Sequence, residues 1–440
     1  MTRRNSSAAR AISTSLAGLL VLSTLPAFAQ SSAGVRSGRF RVHPEARVEG
    51  RFDSNLYRED TVEESPTQVG YLRLMPSLRI TNPHPGQVAL DGSLGLELRQ
   101  YLDSTVNDQQ DAVGVNLAVG GTLGQGKAFS LSINEDLRRQ LEAGQGFDVA
   151  GADETGAGDD PPASDVDAVG CASPCTLSFW RNTTRVQARI APGGGRLVFA
   201  PSYRLSILRY EEFDVIDKDT HELRLGGSYR FFPRTSMVFD TSYSFINYTD
   251  EQQTAEVTPF RVKGGLRGLI TTKLATTLTV GYGNAFASTG DNFSSVIALV
   301  EMIYALSPGL RARVSYNRDF GDSAFANVVT TNRVGGKLQA ALGGDFNASA
   351  DVYASFRSYS QGFIKPEIEA QVDAAELAGR DDTFLVGNLA GSYHPNEWLV
   401  VTGGYRLEQN ITSYGVRIGG VENFAAFARH QIFLGAGLLL

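Results

Sequence analysis

The sequence predicts an all-β protein: a single antiparallel transmembrane β-barrel of 18 strands, with 16 as the next count. Three observations predict it. An export signal opens the chain, two-residue alternation runs through the rest, and the connectors between alternating segments are short and long by turns.

Residues 1–29 read as a signal peptide. Arg3, Arg4 and Arg10 form a basic n-region, Ser15 to Leu25 is mostly apolar, and Ala27-Phe28-Ala29 is a small-x-small cleavage site before Gln30. The apolar run is too short and too rich in Ser and Thr to anchor a membrane. Cleavage leaves 411 residues, 30–440, with net charge −10. Beyond it, no stretch of about 18–20 residues is free of charge; the best, Val296 to Leu306, is interrupted by Glu301. A helical membrane span is therefore excluded. A secreted soluble protein and an outer-membrane barrel remain. The acidic balance argues against a nucleic-acid partner. Two cysteines are too few for a disulfide framework or a Cys-rich zinc module.

The alternation has one apolar and one strongly polar face. In Ser236 to Ile246, Met237, Phe239, Tyr243 and Phe245 oppose Ser236, Asp240, Ser242 and Ser244. In Arg196 to Ile207, Leu197, Phe199, Tyr203 and Leu205 oppose Arg196, Ser202, Arg204 and Ser206. Eighteen such segments run over 39–53, 67–81, 86–102, 110–123, 127–138, 178–191, 195–211, 219–232, 235–249, 258–270, 273–286, 291–306, 309–320, 325–341, 345–360, 382–394, 397–411 and 423–440.

The connectors separate a barrel from a soluble sandwich. Every second one is short and turn-rich, such as Gly124-Gln125-Gly126, Pro192-Gly193-Gly194, Pro233-Arg234 and Ser307-Pro308-Gly309. The intervening ones are generally longer and acidic, the longest being 139–177 and 361–381. Periplasmic turns and extracellular loops produce that asymmetry; a sandwich does not require it. An even strand count places both termini in the periplasm of a Gram-negative bacterium. The chain also ends on an uninterrupted apolar face, Ile432, Leu434, Ala436, Leu438 and Leu440. Outer-membrane lipid, lipopolysaccharide and the barrel assembly machinery are the partners such a barrel implies.

With apolar faces toward lipid, the polar faces give the lumen 20 basic and 12 acidic side chains. The lumen-lining candidates are Arg73, Arg99, Arg204, Arg224, Arg261, Lys263, Arg267, Arg311, Arg313, Arg333 and Arg406. Fixed cations of this kind steer anionic or hydroxyl-rich solutes. Paired Arg and carboxylate side chains also serve simply to fill a barrel. The acidic extracellular loop 139–177 carries eight carboxylates from Glu142 to Asp167 with no basic residue after Arg139. It lacks an ordered calcium-loop spacing and reads as a solvated loop with calcium as its alternative. Cys171 and Cys175 close it and are expected to form a small disulfide after export, with a metal-binding pair as the alternative. Pro366 to Leu377 carries the pattern of a short helix at the mouth, with Pro366 at its start and Gly379 past its end; a surface loop is the plainer reading.

Catalysis finds little support: a Ser/His pair assembled across strands is the one route left, and nothing in the sequence selects one. Neither H-E-x-x-H nor G-x-S-x-G occurs among the residues, and the five histidines fall in turns and on scattered strand positions. No cofactor motif appears, and no metal site is assigned.

Two stretches carry a resemblance. Pro44 to Tyr57 reads P-E-A-R-V-E-G-R-F-D-S-N-L-Y, and Arg230 to Met237 reads R-F-F-P-R-T-S-M. The chain resembles the β-barrel porin 2 family, and beyond it the myxobacterial outer-membrane porins of Wzx/Wzy-dependent polysaccharide pathways. The resemblance covers nearly the whole mature chain. It implies export of an anionic or neutral exopolysaccharide through the lumen, with a periplasmic polysaccharide-export protein as partner. It supplies no catalytic residue. Asp53, Ser54 and Asn55 match the family's first-strand motif at a strand-to-loop junction. A general diffusion porin for small anionic or sugar solutes is the second reading. A structural or adhesion barrel acting through its acidic loops is the third.

Overall fold

The computed structural model describes residues 34–439 apart from 59–65, 83–87, 110–111, 142–177, 212–216, 250–256, 288–291, 323–327, 344, 361–379, 413–414, 419–420 and 425. The signal peptide, most of the acidic 139–177 loop, both cysteines and the 366–377 segment therefore lie outside the described residues. Eighteen strands build one closed sheet. They are β1 Phe40–Asp53, β2 Val69–Thr81, β3 Val88–Tyr101, β4 Val113–Leu123, β5 Phe129–Gln140 and β6 Phe179–Ile190. Next come β7 Leu197–Tyr210, β8 Lys218–Phe232, β9 Thr235–Tyr248, β10 Val257–Leu269, β11 Leu274–Ala287 and β12 Phe293–Ser307. The last are β13 Leu310–Asp322, β14 Val328–Leu342, β15 Phe346–Tyr359, β16 Asp381–Asn396, β17 Leu399–Ile411 and β18 Phe427–Leu439. Each strand pairs antiparallel with its sequence neighbours, and β18 pairs with β1 from Glu45↔Leu439 to Asp53↔Gln431. The barrel is closed, so no ladder edge is left to meet lipid.

The first-strand D-S-N residues latch this closure. Asp53 accepts from the guanidinium of Arg429, and from Gln431 Nε2 at 2.7 Å. Ser54 exchanges two bonds with the backbone of His430, its N donating at 2.9 Å and its Oγ accepting at 2.8 Å. Asn55 Nδ2 donates to the Ala428 carbonyl at 3.2 Å. The three residues thus bond the last strand rather than only shaping a turn.

Register separates the two faces. Arg261, on β10, reaches Asp319 on β13 at 2.9 Å, and Lys218, on β8, reaches Asp322 on β13 at 2.6 Å. Side chains converge on the concave side of a barrel and diverge on its convex side, so contacts skipping several strands run through the interior. The face holding Lys218 and Arg261 is therefore the inner one. Ladder partners share a face, which extends the assignment around the barrel: Arg261 pairs Ser242, which pairs Arg224; Asn317 pairs Arg333, and Lys337 pairs Asp351, which pairs Asn388 and then Arg406.

The outer face is apolar and exposed. Leu74, Leu96, Leu117, Ile133, Leu266, Val280, Val314, Val352 and Leu389 form its middle. Exposed aromatics ring it on both sides. Phe129, Tyr229, Phe232, Tyr304, Phe346, Tyr393 and Trp398 lie at the short-turn end, and Phe52, Trp180, Phe245, Phe286 and Phe356 toward the other. An apolar band between aromatic girdles is the surface of an outer-membrane barrel. Short turns use backbone freedom where it is needed: Gly193, Gly194 and Gly195 hold φ of 62°, 74° and 76° in the β6–β7 turn.

The long-connector end is filled inward. In the β3–β4 connector, α1 (Ser104–Gln109) starts on Asp103, whose carboxylate accepts from Thr105 N at 2.8 Å. Val106 and Leu56 pack over Tyr71 and Tyr101. Opposite, the β13–β14 hairpin leaves the wall. Pairing with β12 stops at Ala298↔Arg318, while pairing with β14 continues to Asp322↔Val328. Its Phe320 joins Val257, Ala285, Ile297 and Val328 in a buried apolar cluster inside the barrel.

Candidate functional site: the barrel interior

Along the axis the inner face divides into three levels. At the long-connector level the charges are buried and paired. Arg73 donates to Glu97 at 2.7 Å and to Glu49 at 2.9 Å, and Arg99 donates to Glu97 at 2.6 Å. Around the seam, Glu408 takes Arg58 at 3.1 Å, Arg406 at 2.6 Å and Arg429 at 3.7 Å. Arg380 forks onto Asp382 at 2.6 Å. Aromatic faces carry further arginines: Arg357 lies 5.0 Å from the Phe384 ring centre and Arg261 4.5 Å from that of Phe320. Glycine makes room for the bent hairpin, because a Cβ on Gly283 would stand 2.1 Å from the Phe320 ring.

At the middle level the pairs are looser. Arg224 meets Asp240 at 2.6 Å, with Lys263 on the same carboxylate at 4.0 Å. Arg204 meets Glu222 at 2.9 Å and Arg313 meets Glu301 at 3.2 Å. Arg333 donates to Ser355 at 3.0 Å and lies over Tyr353.

At the short-turn level the pattern reverses. Arg41, Arg79, Arg189, Arg230, Arg267 and Arg311 each lie one or two residues from the short-turn end of a strand, on the inner face. None has a side-chain ion pair or hydrogen bond among the described residues. Among the described inner-face carboxylates nearest this level, Glu45 lies 3.5 Å from Arg47, and Asp91 stands near the start of β3.

All eleven sequence-derived candidates stand on the inner face, but at different levels. Arg73, Arg99 and Arg406 belong to the buried networks. Arg204, Arg224, Lys263, Arg313 and Arg333 stand midway, and Arg261 ties the wall to the hairpin. Arg267 and Arg311 belong to the short-turn group. Sequence reasoning passed over Arg41, which follows a short N-terminal strand, Val35–Ser37, paired back on Phe40–Val42. It also passed over Lys218, whose partner Asp322 is 104 positions away and has no local signal. Glu135 was equally unforeseen: it stands on the outer face, accepting from Asn182 Nδ2 and Thr184 Oγ1, both at 2.6 Å.

No protein-family model matches the chain, and no curated protein matches it. The β-barrel porin 2 likeness therefore remains a resemblance. Among solved structures, the chain is similar to Pseudomonas aeruginosa OpdK, solved with vanillate, at 10% identity and TM-score 0.46, covering 91% of this chain and 99% of that one. It is similar to P. aeruginosa OccK9 (OpdG) at 10% identity and TM-score 0.46, covering 91% and 98%. A variant of the FrpB iron transporter from Neisseria meningitidis is similar at 8% identity and TM-score 0.44, covering 90% and 81%. The strand count and closure rest on this chain's own ladders. They make the protein an 18-stranded β-barrel of the outer-membrane type.

Proposed function

We propose that the barrel is an outer-membrane conduit for anionic, hydroxyl-rich solute, with exopolysaccharide leaving the cell as its cargo. The observation that carries this reading is the inner face: a closed 18-stranded wall whose described strands carry more cations than carboxylates on that face. An 18-stranded barrel encloses an aqueous lumen unless loops fill it. Arginine offers a planar, permanently charged fork that matches carboxylates and hydroxyl pairs. In this reading the short turns and both termini face the periplasm, where a polysaccharide-export protein delivers the chain. In this reading the polymer is driven by its synthesis at the inner membrane.

The crowded long-connector level favours a second reading, a diffusion porin for small anions or sugars, because inward packing there narrows the way out. The two part on one pair of measurements. A deletion strain that loses surface polysaccharide while small-solute uptake continues supports export. A strain that keeps its polysaccharide and loses uptake refutes export in favour of the diffusion porin. Purified barrel in a planar bilayer under a salt gradient is expected to give an anion-selective reversal potential; cation selectivity sinks both readings.

A further inference from the structure

We propose that the six inner arginines at the short-turn level form an entry port for a polyanionic chain. Arg41, Arg79, Arg189, Arg230, Arg267 and Arg311 would engage carboxylate or phosphate groups spaced along one strand of polymer. The inference deepens the conduit reading and rests on it.

Three observations carry the port. The first is pairing. At the other end of the same lumen, Asp53, Glu49, Glu97, Glu408 and Asp382 each hold an arginine in a direct ion pair. The six arginines hold none among the described residues. Their forks are free to take an anion in two-point contact. The second is exposure. Arg79, Arg189, Arg230, Arg267 and Arg311 are exposed and Arg41 half-exposed, whereas Arg429 and Arg380 are buried. A solute can reach the first group without displacing a protein carboxylate. The third is arrangement. The six sit on β1, β2, β6, β8, β10 and β13, distributed around the wall rather than gathered at one point. A small anion meets one or two of them. A chain threading the mouth meets several, and its affinity rises with each.

The turns beyond reinforce the field. Lys127, Arg196, Arg234 and Lys273 stand in short connectors against Asp345 and Glu397. The end is therefore strongly cationic in a protein of net negative charge. Like charges around a mouth repel one another and do not help the barrel close. They raise the local concentration of an anion, and the effect falls with ionic strength.

The test uses the mature barrel in planar bilayers at low salt. A peptide tag inserted at Gly194 in the β6–β7 turn marks the short-turn side. Hexagalacturonate, linear polyphosphate and uncharged maltohexaose are added to either side in turn. Hexagalacturonate or polyphosphate is expected to block from the short-turn side at a concentration about tenfold lower than from the other, since steering by fixed charge accounts for factors of 10 or more. Which of the two blocks better distinguishes a carboxylate from a phosphate polymer. The triple variant Arg189→Gln, Arg267→Gln, Arg311→Gln is expected to abolish the difference between sides. The corresponding lysine variant is expected to keep most of it. Equal block from both sides, or block by maltohexaose as strong as by the anions, overturns the port while leaving a conducting barrel. Absence of any current overturns the conduit reading instead. The port is then judged by binding of fluorescent hexagalacturonate to detergent-solubilised protein, and equal binding by wild type and the triple glutamine variant refutes it.

Discussion

Replacing Asp53 by Ala tests whether buried charge holds the barrel shut. Asp53 and Arg429 are 0% and 1% exposed and bridge β1 to β18. Arg429 donates to Asp53 from two nitrogens and lies 3.7 Å from Glu408, which Arg58 and Arg406 already engage. Removing Asp53 takes its carboxylate away from a guanidinium sealed from water, and Glu408 beside it is already shared. Breaking a buried pair in this way costs about 3–5 kcal/mol. Arg429→Met falls toward the lower end of the same range, because Asp53 keeps Gln431 Nε2 at 2.7 Å and Asn55 N at 3.0 Å. The double variant buries no stranded charge and loses only the hydrogen bonds of Gln431 and Asn55, roughly 1–3 kcal/mol. The single losses should therefore exceed the double loss by at least about 3 kcal/mol in coupling. Urea unfolding of vesicle-inserted protein, followed by the fluorescence of Trp180 and Trp398 and by heat-dependent gel mobility, measures all four corners of the cycle. A coupling below about 0.5 kcal/mol, the ordinary scatter of independent sites, would refute the argument that this pair latches the seam.

Three further outcomes follow from the two faces and the hairpin. Val280→Arg puts a charge on the lipid face at an apolar, 58% exposed position and should cost about 2–4 kcal/mol in a bilayer, whereas Thr277→Arg, on the inner face beside Glu301, should cost little; equal costs in the same unfolding assay would contradict the face assignment. A Cβ on Gly265 would stand 1.8 Å from the Leu278 carbonyl oxygen, so Gly265→Val should push β10 from β11 and destabilise by about 1–3 kcal/mol, read as a lowered unfolding midpoint. Phe320→Ala removes the ring that anchors the bent hairpin, which should raise single-channel conductance and lower stability by about 3–5 kcal/mol; unchanged conductance would show that the hairpin does not narrow the lumen.

Much of the architecture is legible in the residues because a barrel wall is written locally. Each of the eighteen strands overlaps a segment found by alternation, and the short turns announce themselves through Pro-Gly-Gly, Pro-Arg and Ser-Pro-Gly. The shared polar face is legible for the same reason: Arg73, Arg224 or Arg333 need only parity to be grouped, though parity alone does not say which face is the inner one. What escapes is whatever depends on pairs far apart in the chain. Asp53 and Arg429 are 376 positions apart, and alternation along either strand cannot show that one neutralises the other. The inward bend of the β13–β14 hairpin is invisible too, because Asp319, Phe320 and Asp322 continue an unremarkable polar and aromatic pattern. The helix α1 had a local signal, Asp103 followed by Ser-Thr-Val, but six residues inside a connector are too few for periodicity to stand out. Levels along the axis were equally hidden. Counting cations and carboxylates on the inner face gives an excess but not its position.

That position separates structural charge from functional charge. A side chain that stabilises the barrel needs a partner, and at the long-connector level nearly every buried arginine has one. An arginine that stabilises nothing should be removable without harm to the fold. The six at the short-turn level are exposed or half-exposed, without side-chain partners among the described residues, and share one end of the barrel with other cations. Changing Arg189, Arg267 and Arg311 to Gln should therefore leave the unfolding midpoint unchanged or slightly raised, and the gain should shrink with added salt as screening removes the repulsion. The same change at Arg73, Arg380 and Arg429 should lower it sharply at any salt, since buried pairs are screened far less. Proteins commonly keep locally unfavourable charge where it serves binding. If the three short-turn substitutions destabilise the barrel as much as the buried ones do, these arginines are part of its scaffold, and their exposure says nothing about a solute.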